Sequence, residues 1–226
     1  MKTVPTLIAP PPWTLKGNGY IFLYHFSKEF VMKNGFLADY QKVGYNGDWV
    51  GTIMLVDYQE SPVGPYQELL FVPGRCKFGG KKIFTISKIF VSSLDSVTNG
   101  IVNWGIPKEL ANFKVSYLSD NQTKFDVSID GESFFSAHLK NRSFYFPIST
   151  RFFPLKLAQK LNKKLIITTS TAKGKASFAK FLSLKVDEKH FPDISKLKPI
   201  AALAVKNFKM TFPIPNVTEN FFELEV

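Results

Sequence analysis

The stretch NFKVSYLSDNQTKFDVSIDGESFFSAHL, residues 112–139, alternates apolar and polar residues in short runs separated by turn residues. Phe113, Val115 and Tyr117 fall on one face of an extended chain, because successive strand side chains point to opposite sides. Phe125, Val127 and Ile129 do the same on a second strand, and Ser119 to Gln122 supplies the turn between them. Asp130-Gly131 turns the chain again into a third strand, Ser133 to Leu139. Strands joined by such short turns pair antiparallel, since a parallel pair needs a long crossover. The fold class predicted from this core is α+β with mostly antiparallel β.

The same reading extends in both directions. Upstream, prolines 10 to 12 predict an extended arm that leads into a strand at Tyr20 to Phe26. Ser27 caps a short helix, Lys28 to Lys33, which Gly35 ends. Trp49 to Tyr58 is almost continuously apolar, as a strand buried on both faces would be. Glu60 to Pro65 is a loop, Tyr66 to Val72 a returning strand, and Lys82 to Val91 another. Gly17-Asn18-Gly19 reads as a plain turn and Gly79-Gly80 as a hairpin turn. Asp95 to Asn103 is predicted to be a short helix with Asp95 or Ser96 as N-cap. Downstream, Phe153 to Leu161 is the strongest helix signal, with Leu157 and Leu161 four apart. Leu165–Ser170 and Ala176–Leu184 read as a hairpin around Lys173-Gly174-Lys175, and Ala201 to Phe212 as a last strand. About a dozen strands and a few short helices, with no linker or repeat, predict a single domain over residues 1–226.

Composition narrows the function classes. With 226 residues, of which 23 are Phe, 8 Tyr and 3 Trp, the chain carries too much aromatic surface to remain disordered. One cysteine excludes an internal disulfide framework, and His25, His138 and His190 lie too far apart in sequence to suggest a metal cage. Cys76 sits between Arg75 and Lys77, which favour a thiolate, yet no histidine is near it in sequence to serve as a base. The opening residues lack a secretory h-region, and no window approaches the roughly 20 apolar residues of a membrane helix, so the expected setting is cytoplasmic with no membrane partner. Net charge is +11. The lysines are spread along the chain, densest at Lys81-Lys82, Lys156 to Lys164 and Lys173 to Lys180, and carry no nucleic-acid motif. No nucleic-acid partner is expected.

Triads, phosphate loops, dinucleotide fingerprints and metal motifs are absent. What stands out is GIVNWGIPKELA, residues 100–111, where a helix runs into Trp104-Gly105, then Pro107 and a single lysine, Lys108. Pro107 fixes its own φ and restricts Ile106 before it, so Lys108 is presented at a rigid point. Trp104, Ile106 and Leu110 are apolar neighbours that would desolvate the amine and favour its neutral, nucleophilic form. Taken locally, the same residues read more readily as a surface lysine beside a turn.

Residues 100–111 resemble the signature of the acetoacetate decarboxylase family, in which such a glycine, Trp-Gly, Pro and Lys precede a Schiff-base lysine. That lysine falls on Lys108, with Gly100 eight residues before it. DYQESPVGPYQELLFVPG resembles the family's Tyr-x-Glu active-site strand, placing Tyr66 and Glu68 on that motif. The resemblance implies a cone-shaped, antiparallel β-barrel with a closed cavity. It further implies a catalytic pair, Lys108 and Glu68, substrate contacts from Tyr66, Trp104 and Asn18, a small oxo acid as substrate, no cofactor or metal, and a homo-oligomer.

Three departures accompany it. Glu109 stands where acetoacetate decarboxylase has a second lysine, and a carboxylate there would favour ammonium unless it faced away. The family's other glutamate would fall near Gly51 or Thr52, and its arginine near Asn18. The expected function is therefore a Schiff-base lyase on a small oxo acid, decarboxylating or condensing, with little activity on acetoacetate itself. The alternative is a barrel that binds a small apolar or aromatic ligand without turnover.

Overall fold

A 23-residue strand, β13 (Lys164–Val186), is the spine of the molecule. The computed structural model describes residues 5–47, 50–119, 121–151, 155–219 and 221. Along the chain run β1 (Trp13–Tyr24), α1 (Lys28–Asn34), α2 (Asp39–Gly44), β2 (Gly51–Glu60), β3 (Tyr66–Val72), β4 (Gly74–Phe78) and β5 (Lys81–Thr85). Then follow β6 (Lys88–Val91), α3 (Leu94–Trp104), β7 (Lys108–Leu110), β8 (Asn112–Leu118), β9 (Gln122–Ile129) and β10 (Glu132–Asn141). The rest are β11 (Phe146–Ser149), β12 (Leu155–Leu161), β13, β14 (Ala201–Phe212) and β15 (Asn216–Thr218). The main sheet path is β4-β5-β12-β13-β14-β1-β2-β3-β6-β7, and β8-β9-β10 joins it on the far half of β13. Pairing is antiparallel except at β5–β12 and β6–β7. The mostly antiparallel, helix-poor class is as expected. Among the described residues β4 and β7, the ends of the path, are not hydrogen-bonded to each other, so the curved sheet is not closed into a barrel that way.

β2 shows how the sequence builds two cores. Ile53 and Leu55 face one, with Phe22, Phe71, Phe90 and Phe135. Val56 and Tyr58 face the other, with Trp13, Tyr66, Ile89 and Trp104. A strand buried on both sides needs the continuous apolar run seen in this stretch; Trp49, at its predicted start, lies outside the described residues. No described helix is long and apolar enough to cross a membrane.

The meander of residues 112–139 forms β8, β9 and β10, paired in sequence order. Ser27 caps α1 by accepting from the Phe30 N–H at 3.1 Å. Four local expectations are corrected. The predicted helix at 153–161, apart from residues 153 and 154, which lie outside the described residues, is strand β12. Leu155, Leu157 and Leu161 also alternate, and pairing with Lys164–Ser170 through a turn holding Asn162 at φ 56° decides for the period of two. The predicted hairpin at 173–175 is absent because β13 runs straight through. Gly174 serves close approach instead: a Cβ there would stand 3.1 Å from the Phe208 Cα, opposite a bulge in β14. Gly17-Asn18-Gly19 is not a turn either but continues β1 across that bulge. The α3 N-cap is Ser93, whose hydroxyl accepts from the Ser96 N–H at 3.3 Å. Asp95 accepts instead from the Thr6 and Leu7 N–H groups at 2.6 and 3.0 Å, fastening the N-terminal arm to α3.

Candidate active site

The chain reaches Lys108 through a controlled sequence of turns. α3 ends at Gly105, whose φ of 65° lies in the left-handed region that glycine tolerates without a Cβ penalty. Its N–H donates back to the Ile101 carbonyl at 2.8 Å. Pro107 then directs the chain into β7, where Lys108 pairs with Ile89 of β6 in parallel register. Neighbouring strand residues point oppositely, so Lys108 is turned inward and Glu109 outward. Glu109 is half exposed and pairs with Lys88 at 2.6 Å. The carboxylate next to the lysine in sequence is therefore not beside its amine.

Lys108 and Glu68 are only 7% and 6% exposed, and their charged groups lie 3.1 Å apart. Glu68 comes from β3, whose residues Tyr66, Glu68 and Leu70 face the same core. Lys108 Nζ also donates to Ser96 Oγ at 2.9 Å and lies 3.4 Å from Tyr66 Oη. Tyr58, directly across from Tyr66 in the β2–β3 register, donates its hydroxyl to the other Glu68 oxygen at 3.2 Å. Gly100 makes room for the amine: a Cβ there would meet Lys108 Cδ at 2.7 Å and Cε at 2.9 Å. Ser96 and Gly100, four apart on α3, thus form one seat for the lysine side chain.

A small cavity of about 30 Å³ opens onto this group. Its walls are Trp13, Leu15, Ile86, Ile89, Trp104 and Phe212, with Tyr58, Tyr66, Glu68 and Lys108 as the polar members. Trp13 and Trp104 meet edge to face at 5.0 Å, and the Trp104 indole N–H donates to the Pro213 carbonyl at 3.0 Å. Trp104 therefore presents ring, not N–H, to the cavity.

Electrostatics correct one expectation. Burial alone pulls the Lys108 amine down, but Tyr66 and Glu68 outweigh it and hold the amine above the ordinary lysine value. The resting amine is an ion-paired ammonium, not the free base that burial by itself would give. Burial, with Glu68 adding to it, pushes the Tyr58 hydroxyl well above the ordinary tyrosine value. Burial likewise raises Tyr66, although Lys108 opposes it. Both phenols stay protonated and can donate hydrogen bonds.

Of the residues predicted for the site, Lys108, Glu68, Tyr66 and Trp104 stand together. Asn18 does not. It lines a separate cavity of about 330 Å³ with Tyr20 and Tyr117, and its Oδ1 accepts from the Asn207 N–H at 3.0 Å. Alternation along β1 accounts for this: Trp13, Leu15 and Ile21 face the core that holds the Lys108 cavity, so Asn18 falls with Tyr20 and Phe22 on the other face. Glu60 is exposed and paired with Lys16. Cys76 is buried in β4, away from the cavity lining. Sequence reading missed Tyr58 and Ser96. Counting register back from the Glu60–Pro65 loop would have set Tyr58 opposite Tyr66, and the helical step of four from Gly100 would have reached Ser96. No cluster of three or more metal-ligating side chains occurs among the described residues.

A family model described as acetoacetate decarboxylase matches residues 47–215. The chain is similar to a crystal structure of acetoacetate decarboxylase from Legionella pneumophila, at 16% identity over 96% of this chain and 92% of that one, with TM-score 0.70. It is also similar to the enduracididine biosynthesis enzyme MppR complexed with pyruvate, at 14% identity over 95% and 93% of the two chains, with TM-score 0.67. At such identities the likeness speaks for the fold. Among curated proteins it resembles the protein NEOXANTHIN-DEFICIENT 1 of Arabidopsis thaliana, 24% identical over 125 residues. That match covers 55% of this chain and 44% of the relative's length.

Proposed function

The chain belongs to the acetoacetate decarboxylase family, and from that premise we propose that it is a Schiff-base enzyme acting on a small oxo compound through Lys108. The observation that carries the reading is the buried Lys108 amine, 3.1 Å from the Glu68 carboxylate at the wall of a small cavity. The substrate class is a small oxo acid. Its support is the family and a structural neighbour that was solved with pyruvate.

The resting ion pair holds every proton that imine formation needs. Lys108 first passes one proton to Glu68, leaving a neutral amine. The amine attacks the substrate carbonyl, a C–N bond forms, and the C=O π electrons move to oxygen. Glu68 returns its proton to that oxygen, giving a carbinolamine. A second proton moves from nitrogen through Glu68 to the departing hydroxyl, and water leaves. Ammonium, carboxylate and ketone have become protonated imine, carboxylate and water, with no proton taken from solvent. Tyr58 keeps Glu68 aimed, and Ser96 keeps Lys108 aimed. The cationic imine is an electron sink. It allows loss of carbon dioxide from a β-oxo acid, or formation and breakage of a C–C bond to a second carbonyl compound.

Condensation is the nearer reaction for this site. Lys108 is the cavity's sole cation among its described lining residues, and it is already bonded to Glu68. A substrate carboxylate therefore meets apolar walls rather than an arginine. The competing reading, a pocket that binds an apolar ligand without turnover, rests on those same walls.

Borohydride trapping separates the two. Incubation with pyruvate, acetoacetate or an uncharged ketone should yield one reduced adduct, mapped to Lys108 and lost in Lys108→Ala. Lys108→Arg should fail too, because guanidinium does not give up its proton. Adducts spread over surface lysines, or none across the panel, would select the non-catalytic pocket.

A further inference from the structure

Another cavity, far larger than the one at Lys108, is present among the described residues. It is an open groove of about 1410 Å³ on another part of the surface, and none of its lining residues is shared with the Lys108 cavity. One wall is β13 from Phe178 to Leu184, another is the end of β10 with Arg142, and the third is the segment from Ile194 to Ala202. That segment is fixed at both ends: Ile194 is fully buried, and the Ile200 N–H donates to the Leu23 carbonyl at 2.7 Å. The floor is firm as well, since Phe181 stacks on Phe22 with ring centres 4.2 Å apart. The groove is a built concavity with large apolar side chains left in solvent. Phe178 is 54% exposed and Ile200 58%, with Leu182 and Leu197 also exposed.

Its charge is one-sided. Lys140, Arg142, Lys180, Lys196 and Lys198 line it, and no carboxylate does among the described residues. None of the five has an ion pair among those residues. Lys140 and Lys180 are direct cross-strand partners in the β10–β13 register. Like charges set opposite one another across two strands are destabilising. Phe178, Lys180 and Leu182 alternate along the outward face of β13, so cation and apolar surface are interleaved.

We propose that this groove binds a single long-chain anionic amphiphile, its carboxylate or phosphate head between Lys140 and Lys180 and its acyl chain along Leu182, Leu197 and Ile200. The head neutralises the opposed lysines, and the chain covers the exposed apolar side chains. Beyond Lys180 the β13 wall runs about 13 Å to Leu184, and Leu197 and Ile200 carry the apolar lining onto the facing segment. A nucleic acid fits less well. Single strands want a run of aromatic platforms for base stacking, whereas Leu182, Leu197 and Ile200 are aliphatic, Phe181 is stacked on Phe22, and the one exposed ring of the lining, Phe178, is packed against Phe146. A flat bilayer would bury projecting side chains and leave a concavity unfilled.

The test is displacement of a fluorescent eighteen-carbon polyene fatty acid by palmitate, below micellar concentrations, on the whole chain. Palmitate should bind saturably at one site. Decanoate should bind at least tenfold more weakly, because each methylene lost costs about two- to fourfold in affinity. Hexadecanol, which lacks the charge, should also bind at least tenfold more weakly. Lys140→Glu should raise the thermal midpoint, by turning the repulsive pair into an attractive one, while weakening palmitate. The two changes have opposite signs, which a purely structural role for Lys140 would not produce. Leu182→Asp should weaken palmitate at an unchanged midpoint. If either variant folds poorly, Lys140→Gln and Leu182→Ser carry the same expectations in smaller measure. Lys108→Ala should bind palmitate as the parent does, so this result stands apart from imine trapping. Equal binding by palmitate and hexadecanol, undiminished binding by Lys140→Glu, or binding only to anionic vesicles or to an RNA oligonucleotide would each overturn the assignment.

Discussion

Replacing Gly100 with alanine pits helix propensity against the position of the reactive amine. Gly100 is interior to α3, where alanine is favoured over glycine by about 1 kcal/mol. Its new methyl would stand 2.7 Å from Lys108 Cδ and 2.9 Å from Cε. Carbon pairs rest at about 3.5–4.0 Å, so the lysine side chain must retreat by about 1 Å. Its hydrogen bond to Ser96 and its contact with Glu68, now 2.9 and 3.1 Å, leave little room before they fail. Losing good geometry there costs about 1–3 kcal/mol, so the net loss of stability should be about 0–2 kcal/mol. The thermal midpoint would then fall by only a few degrees, at about 2–4 °C per kcal/mol for a chain of this size. Reactivity should change far more, because a 1 Å misplacement of a reacting group can cost about a hundredfold. Borohydride trapping with pyruvate, followed by intact mass over time, reads the rate, and calorimetry reads the midpoint. Gly100→Ala protein that traps as fast as the parent would refute the claim that this glycine seats the amine.

Glu68→Gln should slow trapping at neutral pH by about a hundredfold or more, the usual worth of a positioned acid–base group. Raising the pH should recover part of that loss as solvent takes over deprotonation. Glu109→Lys should change trapping by less than about threefold, because Glu109 points away from the amine, while stability should fall by about 1 kcal/mol, because the pair with the largely buried Lys88 becomes two neighbouring cations; a large effect on trapping would place Glu109 at the amine. Stability should fall in alkali. Lys108 is raised above 10.5, and Tyr58 and Tyr66 above 10.0. A raised group stabilises the fold fully below its unfolded value, and that contribution is lost as pH rises through the folded value. The midpoint should hold from neutral pH to about pH 10 and drop beyond it, with Tyr58→Phe reducing the drop; a flat profile into strong alkali contradicts the buried network.

Much of the site was legible because its members sit on short, rigid segments. Pro107 and Gly105 mark a fixed exit from a helix, and Lys108 follows at once. Glu68 and Tyr66 share a strand face by the period of two. Tyr58 and Ser96 were hidden, since each is brought in by tertiary register rather than by a local pattern. The electrostatics were half legible: burial was readable from Trp104 and Ile106, whereas the counter-charge from β3 was not. In the fold, the meander of residues 112–139 spoke for itself. β12 and β13 did not, because Leu157 and Leu161 satisfy a helix as well as a strand, and a glycine between lysines looks like a turn until a bulge is found opposite it. Asn18 failed for a simpler reason, since the period of two along β1 sets even positions on the face away from Lys108.

Helix α3 faces two ways. Ser96 and Gly100 hold the lysine, while Asp95 and Asn99 hold the arm: Asp95 takes the Thr6 and Leu7 amides, and Asn99 takes the Ala9 amide at 2.7 Å. Asn103 donates to the Ala9 carbonyl at 2.8 Å as well. The arm and the seat of the amine thus share one helix, and opening α3 should release both. In hydrogen-exchange terms, the Thr6, Leu7 and Ala9 amides, which donate to α3 side chains, should stay protected only while α3 is folded. A tag, a cut or a crosslink at residues 5–9, far along the chain from Lys108, would be registered as a change in how long the amine stays in place.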